Sequence, residues 1–584
     1  MALVVIITTI IVLILGYRGY ARRIDRETVQ SDQNRPTPAL RFSDGDEFLP
    51  TSRAQLFLYQ FKSISLDPIL GSIIAVQFGW LPALLWLLCG VIFIGWVQDY
   101  AMTLASLRNG GMNLAELAGK WINPHARNLL LSYFYIYLLI VLSGMCVLLA
   151  PVMARDTVPF GFLIMILSGL LMGHMLVRWR INVIATTVLT VSIALAGVYV
   201  GGLSWATTIV DFLNHLGGYQ ASIFIHRPLG YNGMTWSEIL WMAVILGFCY
   251  LGAILPTWRF TRPVNQLAAW LVMVTMLGAT AGIVVATFTG TVKTSFELPA
   301  VVAVTLPNLG SVWPILFVTI WGGAASGWKV LVSTYGTSRQ ITKERDILPV
   351  TVGAAYFETF LVVLVIIFAV TSGVTGGGYD PLHNYQIRVG PASVFANGLI
   401  RFLGVLGVPA EGGLNLAALC LVAISLTAMQ LGLRYARLVG TALFGEHIPL
   451  FYNKHFSALA VIFLTLTWVI SGFWQWSWML FGAANLLLVG IALLLISVWL
   501  AELHKSYRWT FWPALFTYAT GLGALLYTGV YQALFKNILQ GTNQNNGVAI
   551  GNFITTILSI YILYVTVNLL INGINRLRQN HLRK

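Results

Sequence analysis

Long apolar runs recur along the whole chain and are separated by shorter segments that carry most of its charged residues. A run of about 20 apolar residues is long enough to cross the hydrocarbon core of a membrane as a helix. The pattern therefore predicts an all-α polytopic membrane protein. Its predicted spans are a first helix at 1–17, an interrupted helix that enters at 57, and helices at 83–107, 128–153, 157–177, 181–204, 236–256, 264–289, 311–335, 349–374, 413–432, 456–475, 477–501, 510–531 and 549–573.

Composition and charge support a membrane protein and exclude a soluble one. Of the 584 residues, 58% are hydrophobic and 9% are charged, whereas about 25% charged residues is ordinary for a soluble protein. The net charge of +14 comes from basic residues scattered between apolar runs, so nucleic acid is not a predicted partner. If the spans alternate from an outside N-terminus, most Lys and Arg residues face the cytoplasm. We therefore expect a multi-pass protein of the inner (cytoplasmic) membrane with a cytoplasmic C-terminus.

The chain lacks the short motifs of metal sites and of common enzymes. Its four cysteines stand singly in apolar stretches, with no CxxC pair and no histidines at ligand spacing. There is no HExxH, Walker A or GxSxG motif. We therefore predict no metal, no cofactor and no enzymatic activity.

The stretch from Phe57 to Gly79 reads as a membrane helix that is broken in its middle. Pro68 removes a backbone donor and disfavours helix at Asp67. A break at membrane depth is tolerated mainly where protein or a water-filled cavity satisfies the freed backbone groups. The break thus predicts a substrate site, and the alternative is a proline kink in which Asp67 caps the second half-helix. The predicted lining residues are Ser63, Ser65, Leu66, Pro68 and Gly71.

A second interrupted segment is predicted five spans later, at Trp236 to Pro256. Gly247, Gly252 and Pro256 lie within it. Two breaks at this offset indicate the inverted repeats of the leucine-transporter-like fold, with one N-terminal and about four C-terminal extra helices. The lining residues predicted here are Tyr250, Gly252 and Trp258.

These predictions divide the chain into six parts. They are a first transmembrane helix (1–17), a cytoplasmic polar segment (18–56), repeat one (57–204), an outside loop (205–235), repeat two (236–432) and peripheral C-terminal helices with a basic cytoplasmic tail (433–584).

Several long motifs resemble one known family. They are Phe48-Leu49-Pro50-Thr51, the stretch from Phe57 to Leu117, PILFVTIWGGAASGWKVLVST (314–334) and LTAMQLGLRYAR (426–437). The chain resembles the carbon starvation CstA family of peptide and pyruvate transporters. The resemblance implies a secondary active transporter that imports a small peptide, a keto acid such as pyruvate, or an amino acid, coupled to a proton or another cation. In the GGAASG stretch, Gly322, Gly323 and Ser326 are expected to line the substrate site.

The chain departs from the family pattern where the chemistry is expected. Two family histidines are replaced by Tyr59 and Gln60, and a third corresponds to Lys329. Gln430 stands where the family has an aspartate, and Lys62 is new. The solute and the coupling ion therefore cannot be carried over from the family, although the added ammonium groups favour a carboxylate-bearing solute.

Five charged residues lie within predicted spans and are the candidates for ion or proton coupling. Such residues are costly in hydrocarbon and usually functional. The alternatives are a helix cap for Asp67, a structural hydrogen bond for the other acids, and snorkelling to the membrane surface for the lysines. The candidates are Asp67, Glu358, Lys62, Lys329 and Asp99.

A second class of function stays open. A membrane sensor or receptor that keeps the transporter fold without transporting would also lose family polar groups. The predicted partners are a small-molecule substrate, a coupling proton or cation and the lipid bilayer, and the sequence leaves the oligomeric state open.

Overall fold

The computed structural model describes residues 1–32, 34–64, 66–216, 235–306, 309–372, 379–380, 386–387, 391–541 and 546–582. Eleven helices in these ranges are long and apolar enough to cross a membrane. This confirms the all-α polytopic membrane architecture.

The helices of the first half run in this order: α1 (Ala2–Val29), α2 (Pro38–Arg41), α3 (Arg53–Lys62), α4 (Asp67–Ala75), α5 (Trp80–Arg108), α6 (Leu114–Trp121), α7 (Pro124–Met153), α8 (Val158–Val177), α9 (Val183–Gly201), α10 (Ser204–His215), α11 (Trp236–Ile254) and α12 (Thr261–Thr289).

The second half begins with an antiparallel pair of two-residue strands, β1 (Thr305–Leu306) and β2 (Gly310–Ser311), and contains a second such pair, β3 (Tyr379–Asp380) and β4 (Gln386–Ile387). Its main helices are α13 (Val312–Thr319), α14 (Trp321–Ala324), α15 (Gly327–Leu331), α16 (Ile347–Ser372), α17 (Pro391–Gly404), α18 (Ala410–Phe444), α19 (Lys454–Ile470), α20 (Phe473–Trp478), α21 (Phe481–Glu502), α22 (Arg508–Leu525) and α23 (Asn546–Leu582). Turns with π-helical hydrogen bonding continue α15 to Gly336 and α22 to Leu539.

Local sequence explains where several helices begin. Asn113 and Glu116 form a capping box at the start of α6, and Thr235 and Glu238 form another at the start of α11. Asn123 caps α7 through its side chain, and Pro124 follows at the first helical position. These caps hold backbone donors that the helix itself leaves unpaired.

The first predicted break is confirmed. Helix α3 ends at Lys62, and helix α4 begins at Asp67. The two pieces together occupy the length of one membrane helix.

The second predicted break is wrong in position. Helix α11 is continuous through Gly247 and ends at Ile254, because Pro256 cannot continue it, and a short turn then leads into α12. The second interrupted span lies instead at α13, α14 and α15, where the chain leaves the helix at Ile320 and again at 325–326.

Three further features differ from the predictions. The first helix continues past residue 17 to Val29, through turns with π-helical hydrogen bonding. The predicted outside loop 205–235 contains most of the amphipathic helix α10. Helix α17 lies between two predicted spans and packs against α4, α12, α16 and α18.

Two groups of helices pack around the interrupted spans. The long helices α7 and α18 lie against one another, and α11 and α19 each contact both of them. Helix α16 packs on α3, α4 and α5, while α4 contacts α13 and α14. The two interrupted spans are therefore neighbours at the centre of the bundle.

Gly71 allows the two interrupted spans to approach closely. A Cβ at this position would lie 1.9 Å from the backbone carbonyl oxygen of Thr319, at the end of α13. Only a residue without a side chain fits between the two backbones here.

We expect Gly71→Ala to lower the melting temperature of the purified protein, because overpacking at a tight backbone contact costs about 1–3 kcal/mol. Gly247→Ala is the matched control, since a Cβ there meets nothing within 4 Å, and alanine is favoured in a helix interior by up to about 1 kcal/mol. Thermal unfolding in detergent measures both. Equal melting temperatures of Gly71→Ala and wild type would contradict the close approach of the two backbones. A marked decrease in the melting temperature of Gly247→Ala would contradict the continuous helix α11.

Candidate functional site

The interruption in the first broken span is joined directly to the second. After α3 ends, the carbonyl oxygen of Ser63 accepts a hydrogen bond from the indole Nε1 of Trp328 on α15 (2.7 Å). The Ser63 hydroxyl donates to the carbonyl oxygen of Gln60 (2.6 Å). Backbone groups freed by the break are thus satisfied inside the protein, as a low-dielectric environment requires.

A buried ion-pair cluster lies beside these interruptions. The ammonium of Lys329 on α15 is 3.4 Å from Asp99 Oδ2 on α5 and contacts Glu358 Oε2 on α16. All three side chains are at most 5% exposed. The sequence-predicted coupling candidates Lys329, Asp99 and Glu358 therefore form one cluster.

A glutamine that the sequence analysis did not select completes the cluster. The amide Nε2 of Gln98 donates to Asp99 Oδ1 (3.2 Å) and to the carbonyl oxygen of Ser326. Gln98 thereby links the acid to the backbone of the second interruption. Its place next to Asp99 inside an apolar span was the available sequence signal.

Lys62 occupies a different position, at the last turn of α3. Its ammonium donates to the carbonyl oxygen of Ile424 (3.2 Å) and to the hydroxyl of Thr427 (2.5 Å), both on α18. The side chain is buried, so it does not snorkel to the membrane surface. Lys62 forms no ion pair with any carboxylate whose side chain the structure describes.

The described charged side chains near the two interruptions sum to zero charge. Lys62 and Lys329 contribute two positive charges, and Asp99 and Glu358 contribute two negative charges, when all four are ionised. Breaking one partner out of a buried ion pair costs about 3–5 kcal/mol, because the remaining charge is left without compensation. The ion pairs of Lys329 therefore constrain which helices can separate.

A small cavity borders Ile424, whose carbonyl oxygen accepts from Lys62. It has a volume of about 10 Å³ and lies between α12, α16, α17 and α18, with Thr275, Phe368 and Cys420 among its other walls. Such a volume has room for roughly one water molecule. A solute of several heavy atoms would enter this cavity only if these helices moved apart.

The other predicted lining residues of the first break are buried around the same junction. Leu66, Pro68 and Gly71 are buried within or next to α4. Ser65 lies outside the described residues, as does the side chain of Asp67, whose backbone begins α4. The candidate role of Asp67 therefore stays a prediction.

The predicted lining residues of the GGAASG stretch also lie at an interruption. Gly322 and Gly323 belong to α14, and Ser326 precedes α15. A Cβ on Gly323 would come within 2.8 Å of the side chains of Leu87 and Val362. This glycine therefore has a packing role, whereas the Ser326 carbonyl belongs to the ion-pair cluster.

The residues predicted around the second break have other surroundings. The hydroxyl of Tyr250 hydrogen-bonds His455 Nδ1 (2.8 Å), at an apolar cavity between α11 and α19. Trp258 is half-buried, with the guanidinium of Arg259 4.9 Å from the centre of its indole ring. Because the break is not there, Tyr250 and Trp258 are not brought to the interrupted spans.

Gly252 packs against α18, the helix that carries the Thr427 partner of Lys62. A Cβ there would lie 2.7 Å from Gln430 Oε1, and Gln430 is one helical turn beyond Thr427 on the same helix. The amide Nε2 of Gln430 in turn donates to Asn265 Oδ1 on α12 (2.5 Å). Gly252 therefore serves close helix packing.

A second buried charge, Arg434, fastens one end of the bundle. Its guanidinium lies 2.7 Å from Asp46 and 2.9 Å from Glu47, and it donates to the carbonyl oxygen of Leu255 after α11 (3.2 Å). The Thr257 backbone N–H also donates to Asp46 (3.3 Å). The polar segment before α3 is thereby clamped over the end of α11 and against α18.

The family model described as carbon starvation protein CstA matches residues 1–376 and 381–524. The chain belongs to the carbon starvation protein CstA family. This confirms the resemblance seen in the sequence motifs, and it makes the chain a membrane transporter and not an enzyme.

Curated relatives are similar along most of their length. The pyruvate/proton symporter BtsT of Escherichia coli is 25% identical, over 98% of this chain and 90% of the relative. The peptide transporter CstA of E. coli is 25% identical, over 87% and 78%. The peptide transporter CstA of Helicobacter pylori strain 26695 is 27% identical, over 84% and 76%.

Among solved structures, a manganese transporter of Eremococcus coleocola aligns over 92% of this chain and 99% of its own, with 14% identity and a TM-score of 0.45.

We expect Lys329→Met to destabilise the protein by about 3–5 kcal/mol, because two buried carboxylates lose their common partner. Adding Glu358→Gln should recover part of that loss, since one carboxylate fewer is then uncompensated. Melting temperatures of the single and double variants in detergent measure this. Lys343→Met, at an exposed lysine, is the control for loss of a positive charge, and an equal effect there would contradict the cluster's role.

Proposed function

We propose that the protein is a secondary active transporter that imports a small carboxylate-bearing solute, a keto acid or a short peptide, together with a proton. The observation that carries the proposal is the buried ammonium of Lys62 at the first interruption. It contacts only the neutral oxygens of Ile424 and Thr427 among the described residues. A cation held this way at a helix break suits an incoming carboxylate.

Charge balance gives a reason for coupling. The four described ionisable groups of the site sum to zero, so a bound keto acid would leave one net negative charge in a low-dielectric interior, whereas a zwitterionic peptide would bring its own ammonium group. A proton taken up with the solute restores neutrality. Glu358 is the favoured acceptor, because its carboxylate contacts Lys329 on the second interrupted span.

The position of Glu358 suggests how a proton would change the structure. Lys329 lies on the second interrupted span, and its two acids lie on α16 and α5. Protonation of Glu358 would weaken its contact with Lys329, and the Lys329 ammonium would then pair mainly with Asp99. Asp67 remains the second candidate for the coupling proton, from its position at the start of α4.

The relatives' names support this choice of solutes. One relative is named a pyruvate/proton symporter and others are named peptide transporters, and pyruvate and peptides both carry a carboxylate. We place the protein in the inner membrane with the N-terminus outside, on the asymmetry of Lys and Arg between loops.

We further propose that the inverted repeats begin at the two interrupted spans. The first repeat then comprises α3–α4, α5, α7, α11 and α12, and the second comprises α13–α15, α16, α18, α19 and α21. Packing supports this pairing: α7 contacts α18, α5 contacts α16, and α12 packs on α3 as α21 packs on α15. In this proposal these repeats replace the repeat boundaries of 57–204 and 236–432 that the sequence pattern predicts. Helices α8, α9 and α10 then form an insertion within the first repeat.

A non-transporting sensor is the second candidate. The replacement of family histidines at Tyr59 and Gln60 supports it. Binding of solute without uptake into proteoliposomes would identify a sensor.

We expect purified protein in proteoliposomes to accumulate labelled pyruvate or a dipeptide, and Lys62→Met to abolish this uptake, because the solute carboxylate loses its cation. Lys343→Met should transport as wild type does. The measurement is initial uptake against solute concentration. Uptake by Lys62→Met with an unchanged KM would show that Lys62 does not recognise the carboxylate.

We expect Glu358→Gln to keep solute exchange but to lose accumulation driven by a pH gradient, because the variant cannot take up and release the proton. Exchange and gradient-driven uptake are measured in the same vesicles. Asp67→Asn is the matched variant: loss of coupling there, with normal coupling in Glu358→Gln, would move the proton site to α4. Normal coupling in both would exclude these two carboxyls.

A further inference from the structure

An apolar groove with a basic end lies on the outside of the bundle, between α1, α12 and α16. It encloses about 720 Å³. Its walls include Ile14 on α1, Leu277 on α12 and Phe357 on α16, all substantially exposed. This groove is separate from the interrupted spans and plays no part in the proposed transport chemistry.

Two arginines line one end of the groove. Arg18 and Arg22 are four residues apart, so they lie on the same side of the helix. Neither pairs with a carboxylate within the described part of the chain. The two acids that follow are used elsewhere: Asp25 accepts from Tyr100, and Glu27 pairs with Arg23.

Tyr356 of α16 also lines the groove, but its hydroxyl does not face it. The side chain is 8% exposed, and its hydroxyl oxygen is buried, 2.8 Å from a Cβ placed on Gly16 of α1. Tyr356 therefore contributes its ring to the apolar wall, and the polar groups of the groove are the two arginines.

We propose that this groove binds one anionic phospholipid of the surrounding membrane. The acyl chains fill the apolar walls, and Arg18 and Arg22 hold the phosphate. The order of apolar wall and cations along the groove matches the order of acyl chains and headgroup in a phospholipid. Charge complementarity selects an anionic headgroup, since two arginines without a carboxylate partner among the described residues lie at that end.

The test compares retention of phosphatidylglycerol and phosphatidylcholine with identical acyl chains on the detergent-purified full chain, by native mass spectrometry. We expect wild type to retain phosphatidylglycerol preferentially. Arg22→Gln should lower that retention about fivefold, which corresponds to about 1 kcal/mol for one arginine near an anionic lipid, and Arg18→Gln with Arg22→Gln should lower it further.

Arg26→Gln is the matched control, because Arg26 is exposed on the same helix and does not line the groove. Equal losses in Arg22→Gln and Arg26→Gln would overturn the proposal in favour of general surface charge. Equal retention of the two lipids by wild type would overturn it as well, because the groove would then be an ordinary apolar contact with the bilayer. The second comparison needs no variant and is unaffected by any folding defect.

Discussion

A single ammonium group between two carboxylates fixes the centre of this membrane protein. Lys329 lies on a short helix that follows the second interruption, and its partners Asp99 and Glu358 lie on two long helices. In a low-dielectric interior none of the three can leave without exposing the others. The contact therefore sets the distance between α5, α15 and α16, and the remaining core helices pack around that arrangement.

The interruptions depend on the same region for their backbone hydrogen bonds. Trp328, next to Lys329, donates to the carbonyl at the end of α3, and Gln98, next to Asp99, donates to the carbonyl of Ser326. Lys329 and Asp99 thus each have a neighbour in sequence whose side chain donates to a carbonyl oxygen at a helix interruption. The ion pairs and the breaks are parts of one structure, because the side chains that stabilise one also position the other.

Sequence patterns could predict the class, the family and the first break, since Pro68 and the surrounding polar residues act locally. The second break was misplaced because Pro256 is the stronger local signal, yet it only ends a helix. The true interruption near Gly322 has no proline, and its partners Leu87 and Val362 come from distant segments. Lys329, Asp99 and Glu358 could each be recognised as charged residues within membrane spans. Their mutual contact could not be predicted, because it depends on the tertiary packing of three separate helices. Arg434 was missed because an arginine near a helix end reads as a loop-side cation.

The clamp formed by Arg434 has a consequence for biosynthesis. Glu47 precedes Arg434 by 387 residues, so the ribosome releases the acidic segment long before its partner exists. Contacts this distant in sequence form late and slowly. Until α18 has been inserted, Asp46 and Glu47 must stay in water, and the end of α11 stays uncovered. A nascent chain stalled before residue 434 would expose both the acidic segment and the end of α11. A quality-control protease would then have an exposed segment by which to recognise incomplete synthesis.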